Sequence, residues 1–531
     1  MTTSKPAPDQ ARLAEPSQDG PDDARPKVSP TARRRYALLG LAAAAQLMAV
    51  GGPWDIPLAA WILPILLLRF SRTSRPLSGV LLVWLVCFLG AIVWWYEVAA
   101  PSNIAVFVGL MLFGTIGTVP YVVDRLVQRR LRGLTRALAF PAAMVSVQYV
   151  LGTFSPFGTA YGLSAVTQRA NLALLQVISV LGPYVIAFLI GLLAAAVNSW
   201  WEGGLRFELR QLRQPLIAVG LIATVIVLGQ ARMAWAPADT STTVRIAGIN
   251  PDQESIAAAE EILGTSKDNI AEVASLESAR VQEAADVINQ QLFDDTVQAA
   301  RSGAQIVMWS EHAALVPAGA QDELISRART VTLQHDIYLN LAMRLYPEDA
   351  SPLGLNRTVL VGPEGNVLWT YDKQHPVPGS EPTRAGDEPA PVVETPYGRI
   401  SNLICYDADF PADARIDADI MLVPGVDWPE IGRLHSEMAK LRAIENGYAV
   451  VRQAFASTSM AFDHQGKLLS QQDTTSGQDD PWIVDVPTQG TDTLYRIVGD
   501  VFAWLCIGGS LALLGLVAVR IRRRTPSNQE K

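Results

Sequence analysis

The sequence predicts two unlike parts in one chain: a polytopic α-helical membrane domain of about eight transmembrane helices, and a layered α/β domain outside the cytoplasm. Three observations carry this reading. Mean hydropathy is +0.19 and only 18% of residues are charged, too apolar for a soluble chain of 531 residues. The apolar residues are also concentrated: long uncharged runs fill 36–235 and 497–519, whereas 240–490 has the mixed composition of a water-soluble domain. Finally, arginine recurs in every second loop between the runs, a pattern that a membrane imposes and a solvated surface does not.

Taken in order, residues 1–32 read as a disordered cytoplasmic tail. Pro, Ala, Asp and Ser dominate it, with too little bulky apolar surface to offset the entropy of ordering. It lacks the short apolar core and small-residue cleavage site of a secretory signal. Seven spans follow within 33–236, at roughly 36–51, 55–69, 78–97, 104–123, 137–153, 173–198 and 216–233; an eighth, 500–519, lies within 497–520. A helix needs about 20 apolar residues to cross the hydrocarbon core. The first two runs are short for that and read as a hairpin, while the sixth, LALLQVISVLGPYVIAFLIGLLAAAVN, holds no charge.

Arg33–Arg35 precede the first span, and Arg69, Arg72 and Arg75 follow the second. Arg125, Arg129, Arg130, Arg132 and Arg136 follow the fourth, Arg206, Arg210 and Arg213 the sixth, and Arg520 and Arg522–Arg524 the eighth. The alternate loops, GGPW, APSN and FSPFGTAYGLSAVTQRAN, hold a single Arg. Eight spans in this pattern place both termini, including the basic tail 521–531, in the cytoplasm and put 240–490 on the outer face. Trp94, Trp95 and Tyr96 then form an interfacial belt on that face.

Within 240–490, VRIAGIN reads as a strand, and the Ala-rich acidic stretch 254–295 as one or two helices. Then come a strand in AQIVMWSEH, a helix over 321–334, a strand in DIYLNLAMRL and a hairpin in RTVLVGPEGNVLWTYDK. GRISNLICYD reads as a strand ending at Cys405, ADIMLVPG as another, and 433–447 as a helix closed by Gly447. Strands follow in AVVRQAF and SMAFDHQGKLLSQ. Strands alternating with helices indicate layered α/β architecture.

Some chemistries are excluded. No basic patch interleaved with aromatics marks a nucleic-acid site. Of three cysteines, Cys87 and Cys506 lie in apolar runs and read as small buried hydrophobes. Cys405 is alone in the polar domain, which therefore has no internal disulfide, and no zinc-type Cys/His spacing is present. Three strands nonetheless run into a reactive group: Glu311 after IVMWS, Lys373 after VLWTYD and Cys405 after SNLI. Sites in layered α/β folds gather where strands end. A carboxylate base, an ammonium and a thiol at one such edge suit acyl transfer, and the lysine would balance the acids that surround the thiol. His312 or His375 as base to Cys405 is the rival arrangement.

Glu, Lys and Cys in that order, within WSEH, YDKQHPVPGSEP and LICYDADFP, resemble the nitrilase or carbon–nitrogen hydrolase superfamily. With spans on both sides, the chain resembles its integral-membrane branch, the apolipoprotein N-acyltransferases. FSPFGTAYG, MAKLRAIENG and TLYRIVGD extend the likeness. The resemblance implies a nitrilase-like α/β sandwich, with Glu311 as general base, Lys373 as transition-state stabiliser and Cys405 as nucleophile. Glu381 matches the family's supporting glutamate, and Tyr406 and Asp407 follow the nucleophile where Tyr-Glu is usual. Ser310, Gly379-Ser380 and GVDWPEIG (425–432) depart from the family pattern around the pocket.

The implied enzyme is a monomer in a bacterial cytoplasmic (inner) membrane, with no metal or other cofactor. It moves an acyl chain from a phospholipid donor through a Cys405 thioester to a diacylated lipoprotein acceptor. A membrane-anchored amidase or hydrolase, a related acyltransferase with a different amine acceptor, and a non-catalytic scaffold are the alternatives.

Overall fold

A computed structural model describes residues 30–98, 104–235, 242–347, 353–475 and 480–523; the tail expected at 1–32 and the basic tail at 521–531 fall largely outside them. Five of the described helices are long and apolar enough to cross a membrane: Pro76–Glu97, Leu134–Phe154, Val185–Glu202, Leu209–Trp235 and Val501–Arg522. The two short runs form the helices Pro30–Leu47 and Pro57–Thr73. The run 104–123 is two helices, Ile104–Ile116 and Val119–Gln128, separated ahead of Pro120.

The uncharged run 173–198 is not one helix. Gly182 takes φ +78° and Pro183 has no amide hydrogen, so short turns at Leu172–Leu175 and Ile178–Leu181 precede Val185–Glu202. Hydropathy registers apolar length but not this break.

The α/β domain has strands β1 (Thr243–Ile249), β2 (Ile306–Trp309), β3 (Ala314–Val316), β4 (Tyr338–Leu345), β5 (Leu355–Val361), β6 (Val367–Asp372) and β7 (Val392–Thr395). It continues with β8 (Gly398–Asn402), β9 (Ile420–Val426), β10 (Ala449–Phe455), β11 (Thr458–Phe462), β12 (Leu468–Asp473) and β13 (Trp482–Pro487). One sheet runs β13-β1-β2-β4-β5-β6 with β3 beside β4, and the other β12-β11-β10-β9-β8-β7. Each has parallel pairs at its centre and antiparallel pairs toward its edges.

Side-chain alternation sorts the layers. Val244, Ile246, Ile306 and Met308 meet Ile400, Ile420, Leu422 and Val451 between the sheets. Ala247, Ile249, Val307 and Trp309 face the other way, onto the helices Gln253–Leu263, Ser278–Arg301 and Gln321–His335. Burial on both faces explains why these strands read as continuous apolar runs.

The helix Gly432–Asn446 is enclosed on both sides. Ala439 and Ala443 pack on the second sheet with Met421, Val423 and Val450, while Leu434, Met438, Leu441 and Ile444 pack among the membrane-domain helices. The arginine-poor loops meet the α/β domain here. The Trp428 indole donates to the Val98 carbonyl at 2.6 Å, Arg169 pairs with Glu437 at 2.9 Å, and Thr159 donates through N and Oγ1 to the Asp409 carbonyl at 2.8 and 2.7 Å. At the opposite end, basic loops close on acids: Arg72 binds buried Asp124 at 2.7 Å and exposed Glu202 at 3.2 Å.

Candidate active site

Glu311 and Lys373 stand just past the ends of β2 and β6. Cys405 differs from the expected strand end: β8 stops at Asn402, and Cys405 opens the 3-10 turn Cys405–Asp409 with φ +48°. A left-handed φ is uncommon for a side-chain-bearing residue and stores strain at Cys405. All three side chains line one cavity of about 350 Å³ and are almost wholly buried.

Lys373 Nζ donates to Glu311 Oε1 at 2.7 Å and to Glu381 Oε2 at 2.6 Å. Asn356 Nδ2 donates to Oε1 of both glutamates, at 2.7 and 2.8 Å. The backbone N–H of Val377 fastens Glu381 at 3.0 Å. Burial opposes the lysine charge, but Glu311 and Glu381 more than offset it, and its pKa lies well above that of an ordinary lysine. Glu381 is held below the usual carboxylate range, because Lys373 and its hydrogen bonds outweigh burial.

Glu311 and Cys405 flank a single residue. The Val426 N–H donates to Glu311 Oε2 at 2.8 Å, and Cys405 Sγ faces the Val426 carbonyl at 3.6 Å. Burial and the Glu311 charge push the thiol pKa up, with Lys373 and Arg452 opposing only in part, so the resting sulfur is protonated at neutral pH. The sulfur therefore rests as a thiol facing the Val426 carbonyl, with the Glu311 carboxylate on the N–H of the same residue, and not as a preformed thiolate.

The acids beside the cysteine have separate tasks. Asp407 does not bond Lys373; it accepts from Tyr371 OH and the His375 N–H, both at 2.8 Å, and burial lifts its pKa to about 6. Asp409 accepts from His435 Nε2 at 2.8 Å. Tyr406 OH donates to the Pro156 carbonyl at 3.3 Å, tying the turn to a membrane-domain loop.

Neither candidate histidine hydrogen-bonds Cys405. His312 Nδ1 lies 2.7 Å from Arg344, and burial with that charge holds its pKa well below the ordinary value. His375 bonds Asp413 at 2.8 Å and stacks on Phe410. The histidine next to Cys405 is His435, whose Nδ1 lies 2.7 Å from Asp427. Burial and Arg452 depress its pKa, but Asp427 and Asp409 prevail and keep it protonated, a donor rather than a base.

Sequence reasoning missed Arg452. Its guanidinium grips Asp427 at 2.8 and 3.0 Å and donates to Cys405 Sγ at 3.4 Å. Arg452 is the lone charge in the apolar strand AVVRQAF, and that is the signal that could have found it. Two carboxylate–histidine groups, Cys405–Asp427–His435 and Glu311–His312–Glu381, have metal-ligand proximity. Arg452 and Lys373 already occupy their acceptor atoms with fixed positive charge, which opposes a cation there.

The cavity is not confined to the α/β domain. Trp94, Phe157 and Ala160 form a wall from the membrane part, facing Val377, Pro382 and Trp428.

Residues 243–489 match the family described as carbon-nitrogen hydrolase, and residues 43–196 match the apolipoprotein N-acyltransferase N-terminal domain. An apolipoprotein N-acyltransferase of Geobacter metallireducens is 24% identical over 94% of this chain and 97% of its own. One from Caulobacter vibrioides is 25% identical over 86% of this chain and 88% of its own. The chain belongs to the apolipoprotein N-acyltransferase family. An amidase structure from Nesterenkonia sp. aligns over 49% of this chain and 95% of its own, at 18% identity and a TM-score of 0.36. In this family member the hydrolase-type domain and the membrane helices build the cavity jointly.

Proposed function

We propose that the chain is an N-acyltransferase that moves an acyl group from a membrane phospholipid to the α-amine of a diacylglyceryl-cysteine at a lipoprotein N-terminus. The observation that carries this reading is the shared cavity: Cys405, Glu311 and Lys373 face membrane-domain residues Trp94, Phe157 and Ala160. A site for water-soluble amides has no need of such a wall, whereas two lipid-anchored substrates do.

In the proposed ping-pong sequence, Glu311 takes the Cys405 proton as sulfur attacks the donor ester carbonyl. Lys373 and a backbone N–H near Tyr406 receive the oxyanion. The C–O bond breaks, lysophospholipid leaves with a proton from Glu311, and a thioester remains. The acceptor amine attacks the thioester, Glu311 takes its proton, and the amide forms as the thiol is restored. Glu381 and Asn356 hold Lys373 and Glu311 in place, and Tyr406 and Asp407 hold the nucleophile turn.

Eight spans, cytoplasmic termini and a catalytic domain on the outer face of a bacterial cytoplasmic membrane complete the proposal, with one chain as the working unit. The basic loops at the end away from the cavity support this orientation.

The test supplies purified protein with phospholipid and a diacylated lipopeptide. A triacylated product with lysophospholipid is expected; free fatty acid or ammonia in its place identifies a hydrolase and overturns the reading. Cys405→Ala should insert and fold normally yet form no thioester by mass spectrometry.

A further inference from the structure

The chain carries a second groove at the other end of the membrane bundle. It lies between the first half of the helix Pro76–Glu97 and the interrupted pair Ile104–Ile116 and Val119–Gln128, and encloses about 610 Å³. Pro120 supplies no amide hydrogen to continue the first helix of that pair, and the interruption leaves the groove open along its side. Leu77 and Leu81, 88% and 61% exposed, line its length. The Trp84 indole donates to Thr115 Oγ1 at 2.9 Å across the end nearer the middle of the bundle.

The other end of the groove is cationic. Arg125, Arg129 and Arg130 line it. Arg125 is oriented by the carbonyls of Ser71 and Ser74, which leave its charge uncompensated. The neighbouring acids are committed elsewhere: Asp124 is gripped by Arg72 at 2.9 and 2.7 Å, and Glu202 by Arg72 and Arg136. Among the described residues, none of the three arginines has a carboxylate within salt-bridge reach.

We propose that this groove binds one anionic phospholipid, with its phosphate at Arg129 and Arg130, Arg125 behind, and an acyl chain along Leu77, Leu81 and Trp84. Three uncompensated cations favour a headgroup with net negative charge; a zwitterionic headgroup would bring its own cation against them. The apolar length selects a lipid over a free phosphate. The site is separate from the Cys405 cavity, whose wall residue Trp94 lies about 27 Å along the same helix from Pro76 at 1.5 Å per residue. The inference is independent of the acyl-transfer proposal.

Full-length protein carrying Cys405→Ser, so that no lipid is consumed, is given equal phosphatidylglycerol and phosphatidylcholine in mild detergent. Native mass spectrometry counts the retained lipid. One phosphatidylglycerol is expected in preference to phosphatidylcholine. A basic residue near a membrane surface contributes about five-fold to anionic-lipid affinity, so Arg129→Gln with Arg130→Gln should lower phosphatidylglycerol retention about 25-fold and leave phosphatidylcholine unchanged. Leu81→Trp, which fills the groove without touching charge, should lower retention of the same lipid.

Equal retention of both lipids overturns the proposal. So does a preference that survives both sets of changes, or one abolished by millimolar inorganic phosphate, which would mark an anion site only. If the double variant aggregates, Arg129→Gln alone and Leu81→Trp decide the matter.

Discussion

Lys373→Met is the sharpest test of the catalytic reading. The ammonium separates two buried carboxylates at 2.7 and 2.6 Å, and only Asn356 otherwise links them. Without it, two adjacent anions are left with the shared Asn356 amide and one backbone N–H each, from Val426 and Val377, and no positive charge between them. Breaking a buried pair in this way costs about 3–5 kcal/mol. The site can relieve part of that by binding one proton across the glutamates, which spoils Glu311 as a base. Loss of an oxyanion donor costs a further 2.7–4 kcal/mol or so, about 10²–10³ in rate. Lys373 also draws the thiol pKa downward, so alkylation of Cys405 should slow as well. The assay follows acyl-enzyme formation from a phospholipid with a fluorescent acyl chain, with size-exclusion and thermal melting as controls for folding. A folded variant that acylates within about a factor of three of wild type would refute the assignment of Lys373 to the transition state.

Asn356→Leu removes a donor to both carboxylates, so the acid limb of the pH–rate profile for acyl-enzyme formation should move to higher pH. Asp407 has a folded pKa of about 6 against 3.8 when free, so the native state binds the extra proton and its stability falls as pH rises from about 4 to 6; Asp407→Asn should gain up to about 3 kcal/mol relative to wild type over that window, read from melting at pH 4 and 7. Arg452→Gln leaves Asp427 with protonated His435 as its remaining cationic partner, so it should cost less than the roughly 3–5 kcal/mol of an unpaired buried charge, with slower Cys405 alkylation than in Arg452→Lys. Gly158 has φ +52°, and a Cβ there would stand 2.6 Å from the Asp409 carbonyl, so Gly158→Val should lower acylation while the separate cores still melt normally.

How much was legible beforehand follows from what each signal measures. Glu311, Lys373 and Cys405 could be found because each follows an apolar run that ends abruptly, a local pattern. The fold class was legible for the same reason: alternation around branched apolar residues in VRIAGIN, a short wholly buried apolar run in IVMW, and a helix closed by Gly447 at φ +82°. The short strands β3, β7 and β13 escaped because three to six residues carry too little periodicity, and β13 is defined only by pairing with distant β1. Asn356, Asp427, His435 and Arg452 escaped because their roles exist only after β5, β9, the helix Gly432–Asn446 and β10 are packed together. The turn at Cys405 reads as strand from sequence because Leu403 and Ile404 continue the apolar pattern after the ladder has ended at Asn402.

The acids around Cys405 would be a liability if they faced the sulfur, and their partners explain why they do not disable it. Asp407 points back to Tyr371 and the backbone N–H of His375, locking the turn to the strand that delivers Lys373. Asp409 points toward His435, while its carbonyl takes two hydrogen bonds from Thr159 in the membrane domain. One five-residue turn thus joins the lysine strand, the buried helix and a membrane-domain loop. The sulfur's position is therefore set jointly by both parts of the chain, and displacement of the Thr159 loop would be felt at Sγ before either core loosened. That coupling makes catalysis more sensitive than stability to changes at residues 155–160, a region that has no reactive group of its own.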